Sequence, residues 1–314
     1  MYMNKFKGFL YGMTASATFG LLPLFTLPTM AEGMTTDSIL CYRMLFASLL
    51  VAVLMMVRRA NFSVGVRELS WLVLLGFFYY GSATLLFQAY GSMSSGMATT
   101  LHFLYPVGVT LIMAVLFKQR PSPFTIIAII LALSGVALLS LRGSGGAEGS
   151  ASLVGILLVL LSGLSYAIYL VTVNNVRRIR EMDNLKLTLY VLLSSAGFFL
   201  INASCNGGVQ AIPSGSALVN LLLLAFLPTL VSNLALVRAI KSIGSTLTSV
   251  LGAMEPLTAI VIGVVVFGET ISGTMALGIL LIIAAVTIIV LSPLLDKNIA
   301  ERLRRFAQRP IGRR

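Results

Sequence analysis

Three ionisable side chains lie inside long apolar stretches of the 314-residue sequence. Glu255 precedes Pro256 in the run EPLTAIVIGVVVF, His102 is the single histidine, and Arg43 lies in the run YRMLFASLL. An ionisable residue at the centre of a membrane costs roughly 2.5–3.5 kcal/mol on insertion scales, so such residues are first considered as functional groups. A carboxyl group there could exchange a proton or pair with a substrate amine, and a guanidinium group could bind a carboxylate.

Each of these residues also has a structural interpretation. Glu255 could hydrogen-bond a backbone carbonyl group that Pro256 leaves free, because proline removes one helical hydrogen bond. His102 could pack and hydrogen-bond within a helix bundle. Arg43 could extend along its span to the nearby interface and bind carbonyl groups at a helix end. The sequence favours the structural role for Arg43 and slightly for His102, and leaves both roles open for Glu255.

His102 belongs to a row of polar side chains at helical spacing. Thr99, His102 and Tyr105 follow one another at intervals of three residues, which places them on one face of a helix. The segment 150 residues later carries Ser249 and Glu255 at matching positions. We expect the two rows to face each other, with room for a ligand between them.

Further candidates come from polar and aromatic side chains in other apolar runs, which could supply the few polar contacts of a mainly apolar pocket: Gln88, Tyr80, Tyr166, Tyr169 and Asn233. Four prolines inside predicted spans are expected to bend their helices and act in gating: Pro23, Pro106, Pro228 and Pro256.

The composition predicts that membrane-spanning helices position these residues. Hydrophobic residues make up 58% of the chain and charged residues only 10%, against about 25% charged in soluble domains. Residues 69–117, 187–237 and 270–295 carry no Asp, Glu, Lys or Arg. A membrane-spanning helix needs roughly 20 apolar residues. The sequence therefore predicts an all-α polytopic membrane protein embedded in the lipid bilayer.

The basic residues alternate along the chain. Breaking the apolar runs at charge clusters, Gly, Pro and Asn gives ten predicted spans: 7–28, 37–57, 69–89, 97–117, 123–141, 153–174, 186–204, 216–236, 245–267 and 273–293. Of the 22 Lys and Arg residues, 20 lie on one side of this arrangement, with Arg142 on the other and Arg43 inside a span. Basic loops remain in the cytoplasm, so we predict that both termini are cytoplasmic. The net charge of +12 therefore comes from the cytoplasmic loops and tail. It is not taken as a sign of nucleic-acid binding, and no nucleic-acid partner is expected.

The two halves repeat each other. The run YPVGVTLIMAVLF at 105–117 matches EPLTAIVIGVVVF at 255–267, 150 residues later. Each half holds five spans, and an odd number inverts the second half relative to the first, as in many secondary transporters. We predict ten helices as two inverted repeats, 1–142 and 150–293, followed by a basic cytoplasmic tail, 294–314.

These features together resemble the EamA family of the drug/metabolite transporter superfamily. The resemblance rests on the two five-span halves, on Arg43 in YRMLFASLL, and on EP followed by GE at the end of the ninth span. It implies a ten-helix carrier of a bacterial-type inner (plasma) membrane for small metabolites, often an exporter of amino acids or related compounds and drugs. Gln119 occupies the position in the first repeat that corresponds to Glu269 in the second. The family often has a glutamate at this position as well, so Gln119 departs from the family pattern.

The sequence therefore predicts a secondary transporter that works by alternating access, with proton coupling through Glu255 as a hypothesis. ATP drive is not expected because the sequence holds no nucleotide-binding loop. No enzyme activity, metal or cofactor is expected, because the chain has one histidine, two cysteines without metal spacing and no HExxH motif. A flippase for a lipid or a lipid-linked sugar is the alternative, which would need a lateral polar groove.

Overall fold

The computed structural model describes residues 2–89, 98, 101–140, 153–267, 273–274, 276–289 and 291. Within these ranges every regular element is helical. Helices are what the apolar sequence dictates, because a lipid bilayer offers no hydrogen-bond partners and a helix satisfies its backbone groups internally.

The first half contributes six helices. They are α1 (Tyr2–Phe19), α2 (Leu22–Ala31), α3 (Thr36–Val57), α4 (Val66–Ala89), α5 (Tyr105–Phe117) and α6 (Pro123–Ser140). The second half contributes α7 (Leu153–Asn175), α8 (Arg177–Glu181), α9 (Asn184–Cys205), α10 (Gly215–Ala225), a π-helical turn (Phe226–Val231), α11 (Ser232–Ile243), α12 (Ser245–Leu251), α13 (Met254–Phe267) and α14 (Ala276–Ile289).

Six helical segments of the described chain are long and apolar enough to cross a membrane. They are Lys5–Ala31, α3, α4, α7, α9 and Gly215–Ile243, and α5, α6 and α14 are shorter apolar helices. Large apolar side chains also cover the outside of these helices, for example Leu49, Val115 and Leu280. The protein is therefore a multi-pass membrane protein, as the sequence predicts.

Four predicted spans are interrupted, and they are the same four spans in which the sequence places an internal proline. The chain turns at residues 20–21, 103–104 and 252–253, and it widens into the π-helical turn at Phe226–Val231. Each interruption lies next to or contains one of the four prolines singled out above. Proline has no N–H to donate and is tolerated in the first turn of a helix, so the helix restarts at or just before each proline of the three turns.

The helices contact each other in a pattern that is unchanged when the two halves are exchanged. Helix α1 packs on α11, and its counterpart α7 packs on α4. The pair α4–α9 corresponds to α10–α3, and α5–α7 corresponds to α13–α1, while α3–α9 maps onto itself. The sequence repeat is thus accompanied by a repeat in packing.

Glycine permits the closest of these helix approaches. A Cβ atom at Gly20 would lie 2.4 Å from the carbonyl oxygen of Glu255, which is much shorter than a normal contact. Gly252 is equally constrained, because a Cβ atom there would overlap the hydroxyl group of Tyr105. Small residues allow backbones in a membrane bundle to approach in this way.

The loops divide between two ends of the bundle. At one end, Tyr190 Oη donates a 2.7 Å hydrogen bond to the carbonyl oxygen of Phe62, and Lys186 Nζ donates one of 2.9 Å to that of Ser63. These loops are rich in basic residues. The 118–122 loop meets the last turn of α7 and residues 243–247 around a shared cavity.

The other end joins segments 29–36 and 205–216, which contain no Lys or Arg. Thr35 N donates a 2.6 Å hydrogen bond to Gln210 Oε1, and Tyr42 Oη donates one of 2.8 Å to the Gln210 carbonyl oxygen. Glu32 accepts hydrogen bonds from the hydroxyl groups of Ser214 and Ser216. Both bonds lower the pKa of its exposed carboxyl group, and the bond from Ser214 has the larger effect.

Candidate functional site

A small polar cavity lies in the middle of the bundle, between α1, α4, α5, α7, α11, α12 and α13. Its volume is about 20 Å³. That is close to the smallest space that holds one water molecule, roughly 10–15 Å³, and far below a typical ligand pocket. The cavity is therefore closed to metabolites in this conformation. It is lined by Ala15, Ser16, Phe19, Tyr79, Tyr105, Tyr166, Leu170, Ser232, Asn233, Leu236, Thr248, Ser249 and Glu255.

Tyrosine rings form one wall of the cavity. The rings of Tyr105 and Tyr166 meet edge to face with centroids 4.8 Å apart, and Tyr166 stacks on Tyr169 at 6.0 Å. Tyr79 meets Tyr169 edge to face at 5.6 Å and accepts a 3.3 Å hydrogen bond from Asn233 Nδ2. Such packing fixes the rings while leaving hydroxyl groups at the cavity, which suits a ligand with an apolar or aromatic body.

Glu255 supplies the one acidic group among the described lining residues. It stands in the first turn of α13, directly after the interruption at residues 252–253, and Gly20 lets α1 approach its backbone. Its carboxyl group has no hydrogen bond from the residues that the structure describes, although it interacts electrostatically with Arg43, Tyr105 and Tyr166. A partly buried, unbonded carboxyl group facing a cavity can accept an ammonium group or a proton.

Arg43 does not extend to the interface, which corrects the expectation from the sequence. Its side chain is only 4% exposed. Its Nε donates a 2.6 Å hydrogen bond to Thr229 Oγ1, and its guanidinium carbon lies 5.2 Å from the centre of the Phe19 ring. The π-helical turn provides this acceptor inside the bundle, and the attraction of Glu255 also favours the inward position.

One nitrogen of the Arg43 guanidinium group is left without a partner. Nη2 is buried and has no hydrogen bond to any residue in the described ranges. Among those residues the single ion pair shorter than 4.0 Å is Arg177–Glu181, so Arg43 and Glu255 are opposite charges that do not touch. Phe19 contacts the arginine and also lines the cavity. The centre of the bundle therefore holds a separated pair of charges.

His102 lies beside the tyrosine wall, outside the lining. Its Nδ1 is 3.1 Å from Ser162 Oγ, and its ring centroid is 5.7 Å from that of Tyr105 and 6.1 Å from that of Tyr166. Ser162 in turn donates a hydrogen bond to the Ser82 carbonyl oxygen. His102 thus packs and hydrogen-bonds inside the helix bundle. Thr99 lies outside the described residues.

The other candidates divide between the cavity and the surface. Tyr105, Tyr166, Asn233, Ser249 and Glu255 are brought together in the lining. Tyr80 instead packs against Phe198 and Phe199, at 5.7 and 4.8 Å between ring centroids, and Gln88 is exposed at the end of α4. Tyr79 also lines the cavity, although the sequence does not single it out. The run FFYYG offers two adjacent tyrosines, and its periodicity does not show which of them faces inward.

A helical membrane bundle built of two repeats, with a polar and aromatic cavity between them, is typical of secondary transporters. The sequence profile of the EamA-like transporter family matches residues 6–141 and again residues 153–291. The chain therefore belongs to the EamA-like transporter family, and the resemblance noted from the sequence is confirmed. It is a membrane transporter of small molecules, from a family of transporters rather than of enzymes.

The fold is shared with solved structures. One crystal structure of a protein aligns with a TM-score of 0.76 at 18% sequence identity, over 93% of this chain and 98% of that chain. Identity at that level indicates a common fold and carries no information on the substrate. No curated protein matches the chain.

Proposed function

We propose that the protein is a secondary inner-membrane transporter that exports amino acids or related compounds by alternating access. The observation that carries this proposal is the separated charge pair beside the tyrosine wall. In the bound state the carboxylate of the substrate lies on Arg43 Nη2, its ammonium group lies on Glu255, and its apolar body lies between Tyr79, Tyr105 and Tyr166. Glu255 is also the group that would exchange a proton.

The proposed topology has ten spans in two inverted repeats, 1–142 and 150–293, with both termini and the tail 294–314 in the cytoplasm. Two observations support it. The basic segments around residues 62–63 and 182–190 are hydrogen-bonded together, while segments without Lys or Arg meet at other positions. The helix packing is preserved when the halves are exchanged, as expected for two copies of one five-helix unit.

Alternating access would use the helix interruptions. The cavity must widen before it can accept a metabolite, because about 20 Å³ does not hold an amino acid. The turns at residues 103–104 and 252–253 lie at the cavity, on two half-helices that meet where Tyr105 contacts Gly252. Rocking of these half-helices would open the cavity to one side or the other.

Three related probes test the assignment of the charges: L-phenylalanine, phenethylamine, which lacks the carboxylate, and 3-phenylpropionate, which lacks the amine. Binding to purified protein in nanodiscs is measured by thermal shift and titration. We expect L-phenylalanine to bind about tenfold or more tightly than either fragment, since a hydrogen bond to a charged group contributes about 1.5–3 kcal/mol.

Variants of Glu255 and Arg43 show which of these side chains binds the ammonium group of the probe and which binds its carboxylate. Glu255→Gln should remove the preference for L-phenylalanine over 3-phenylpropionate, and Arg43→Gln should remove its preference over phenethylamine. Tyr190→Phe, which changes a loop contact away from the cavity, is the control. Equal binding of all three probes by wild type, or preferences that survive both charge variants, would contradict the proposal.

A further inference from the structure

A second cavity lies at the end of the bundle that carries the basic loops. Its volume is about 170 Å³, several times that of the central cavity. It is formed where the 118–122 loop between α5 and α6 meets the last turn of α7 and the chain between α11 and α12. The central cavity and this end cavity share no lining residue.

The lining of the end cavity combines one positive charge with neutral polar groups. Among the described residues that line it, Arg120 is the one charged residue and none is acidic. Ser122, Asn174, Ser245 and Thr246 add hydroxyl and amide groups. The described lining residues therefore bring one positive charge and no negative charge to the cavity. Arginine binds carboxylates through a planar pair of donors.

Ser245 provides the second, independent observation. It is 1% exposed, and its hydroxyl oxygen has no hydrogen-bond partner among the described residues. A buried polar group without a partner is costly and is normally satisfied by protein, water or ligand. Because Ser245 lines the cavity, its unpartnered hydroxyl group is a candidate donor to a ligand bound there.

We propose that the end cavity is a second binding site, for a small organic carboxylate that pairs with Arg120 and accepts a hydrogen bond from Ser245. The site rests on the proposed function in one respect: it would hold the carboxylate end of the transported compound before that compound reaches Arg43. The volume suits a molecule the size of an amino acid rather than a larger drug.

The test titrates 4-fluorobenzoate into the Arg43→Gln variant in phosphatidylcholine nanodiscs and follows binding by fluorine NMR. This background removes the carboxylate partner of the central cavity, and the neutral membrane offers no competing anionic headgroup. We expect saturable binding that Arg120→Gln weakens about tenfold or more and that Ser245→Ala weakens about two- to tenfold.

Lys118→Gln is the matched control, because Lys118 is a neighbouring exposed cation that does not line the cavity. Arg120→Lys should retain part of the affinity. Absence of saturable binding, or an affinity that Arg120→Gln and Lys118→Gln lower equally, would overturn the proposal. Inorganic phosphate is titrated in parallel, and tighter binding of phosphate than of 4-fluorobenzoate would also overturn it.

The binding test does not depend on the folding of one variant or on transport activity. If Arg43→Gln does not fold, the wild type is titrated instead, and two saturable phases are expected, of which Arg120→Gln removes one. The measurement requires no transport, so that failure of the export proposal leaves the end site standing if binding depends on Arg120. Conversely, loss of the end site leaves the central charge pair testable by its own probes.

Discussion

The central and end cavities differ in size, charge and depth. The central cavity is almost closed at about 20 Å³ and is flanked by two opposite charges and a wall of tyrosines. The end cavity measures about 170 Å³, and its described lining residues bring one positive charge among hydroxyl and amide groups. A zwitterion with an apolar body finds complementary groups for all of its parts only at the centre. If both proposals hold, the central cavity would determine which compound is transported, whereas the end cavity would recognise a single charge.

The largest expected effect separates the two cavities by kinetics. In proteoliposomes, Arg43→Gln should lower the maximal rate of L-phenylalanine transport about tenfold to a hundredfold, because it removes the proposed charge-assisted contact with the substrate beside the central cavity. Arg120→Gln should instead raise the half-saturating concentration with a smaller change in maximal rate. The comparison would break if the two variants changed the same kinetic constant to the same extent.

A second prediction concerns the packing that keeps the central cavity narrow. Gly20→Ala places a methyl group 2.4 Å from the Glu255 carbonyl oxygen, and overpacking of this kind costs about 1–3 kcal/mol. We expect a lower thermal unfolding temperature in detergent for Gly20→Ala. The control is Gly197→Ala, since a Cβ atom at this exposed glycine has no neighbour within 4 Å. Equal unfolding temperatures of the two variants would show that α1 and α13 are less tightly packed than described.

The smallest expected effect compares two adjacent tyrosines. Tyr79→Phe removes the hydroxyl group that accepts a hydrogen bond from Asn233, so L-phenylalanine binding should weaken about two- to tenfold. Tyr80→Phe changes a ring that packs against Phe198 and Phe199, away from the cavity, and should leave the affinity unchanged. Titration of the two variants side by side gives the answer, and a larger loss in Tyr80→Phe would place the binding site elsewhere.

Composition and repeats were enough to predict the class of fold. Apolar runs and alternating basic loops led to a multi-pass helical protein, and the motifs around Arg43 and Glu255 led to the family. The interruptions could be anticipated as bends from Pro23, Pro106, Pro228 and Pro256. Their form could not be, because whether a proline produces a turn or a π-helical widening depends on the neighbouring helices and not on the proline alone.

The site was predicted in part, for a physical reason that Arg43 makes clear. An arginine near the end of a span is normally expected to reach water. Here Thr229 accepts its Nε hydrogen bond from a helix 186 residues away in sequence, and no local pattern reveals that acceptor. Tyr79 and Tyr80 illustrate the same limit, because the burial of each ring is decided by long-range packing.

The π-helical turn at Phe226–Val231 affects the orientation of α11, the helix that follows it. Such a widening accommodates one surplus residue compared with an α-helix, and one residue corresponds to a rotation of about 100° around the helix axis. The azimuth of α11 is therefore offset from that of α10. Ser232 and Asn233, the first two residues of α11, line the cavity, and without the surplus residue α11 would present different side chains there.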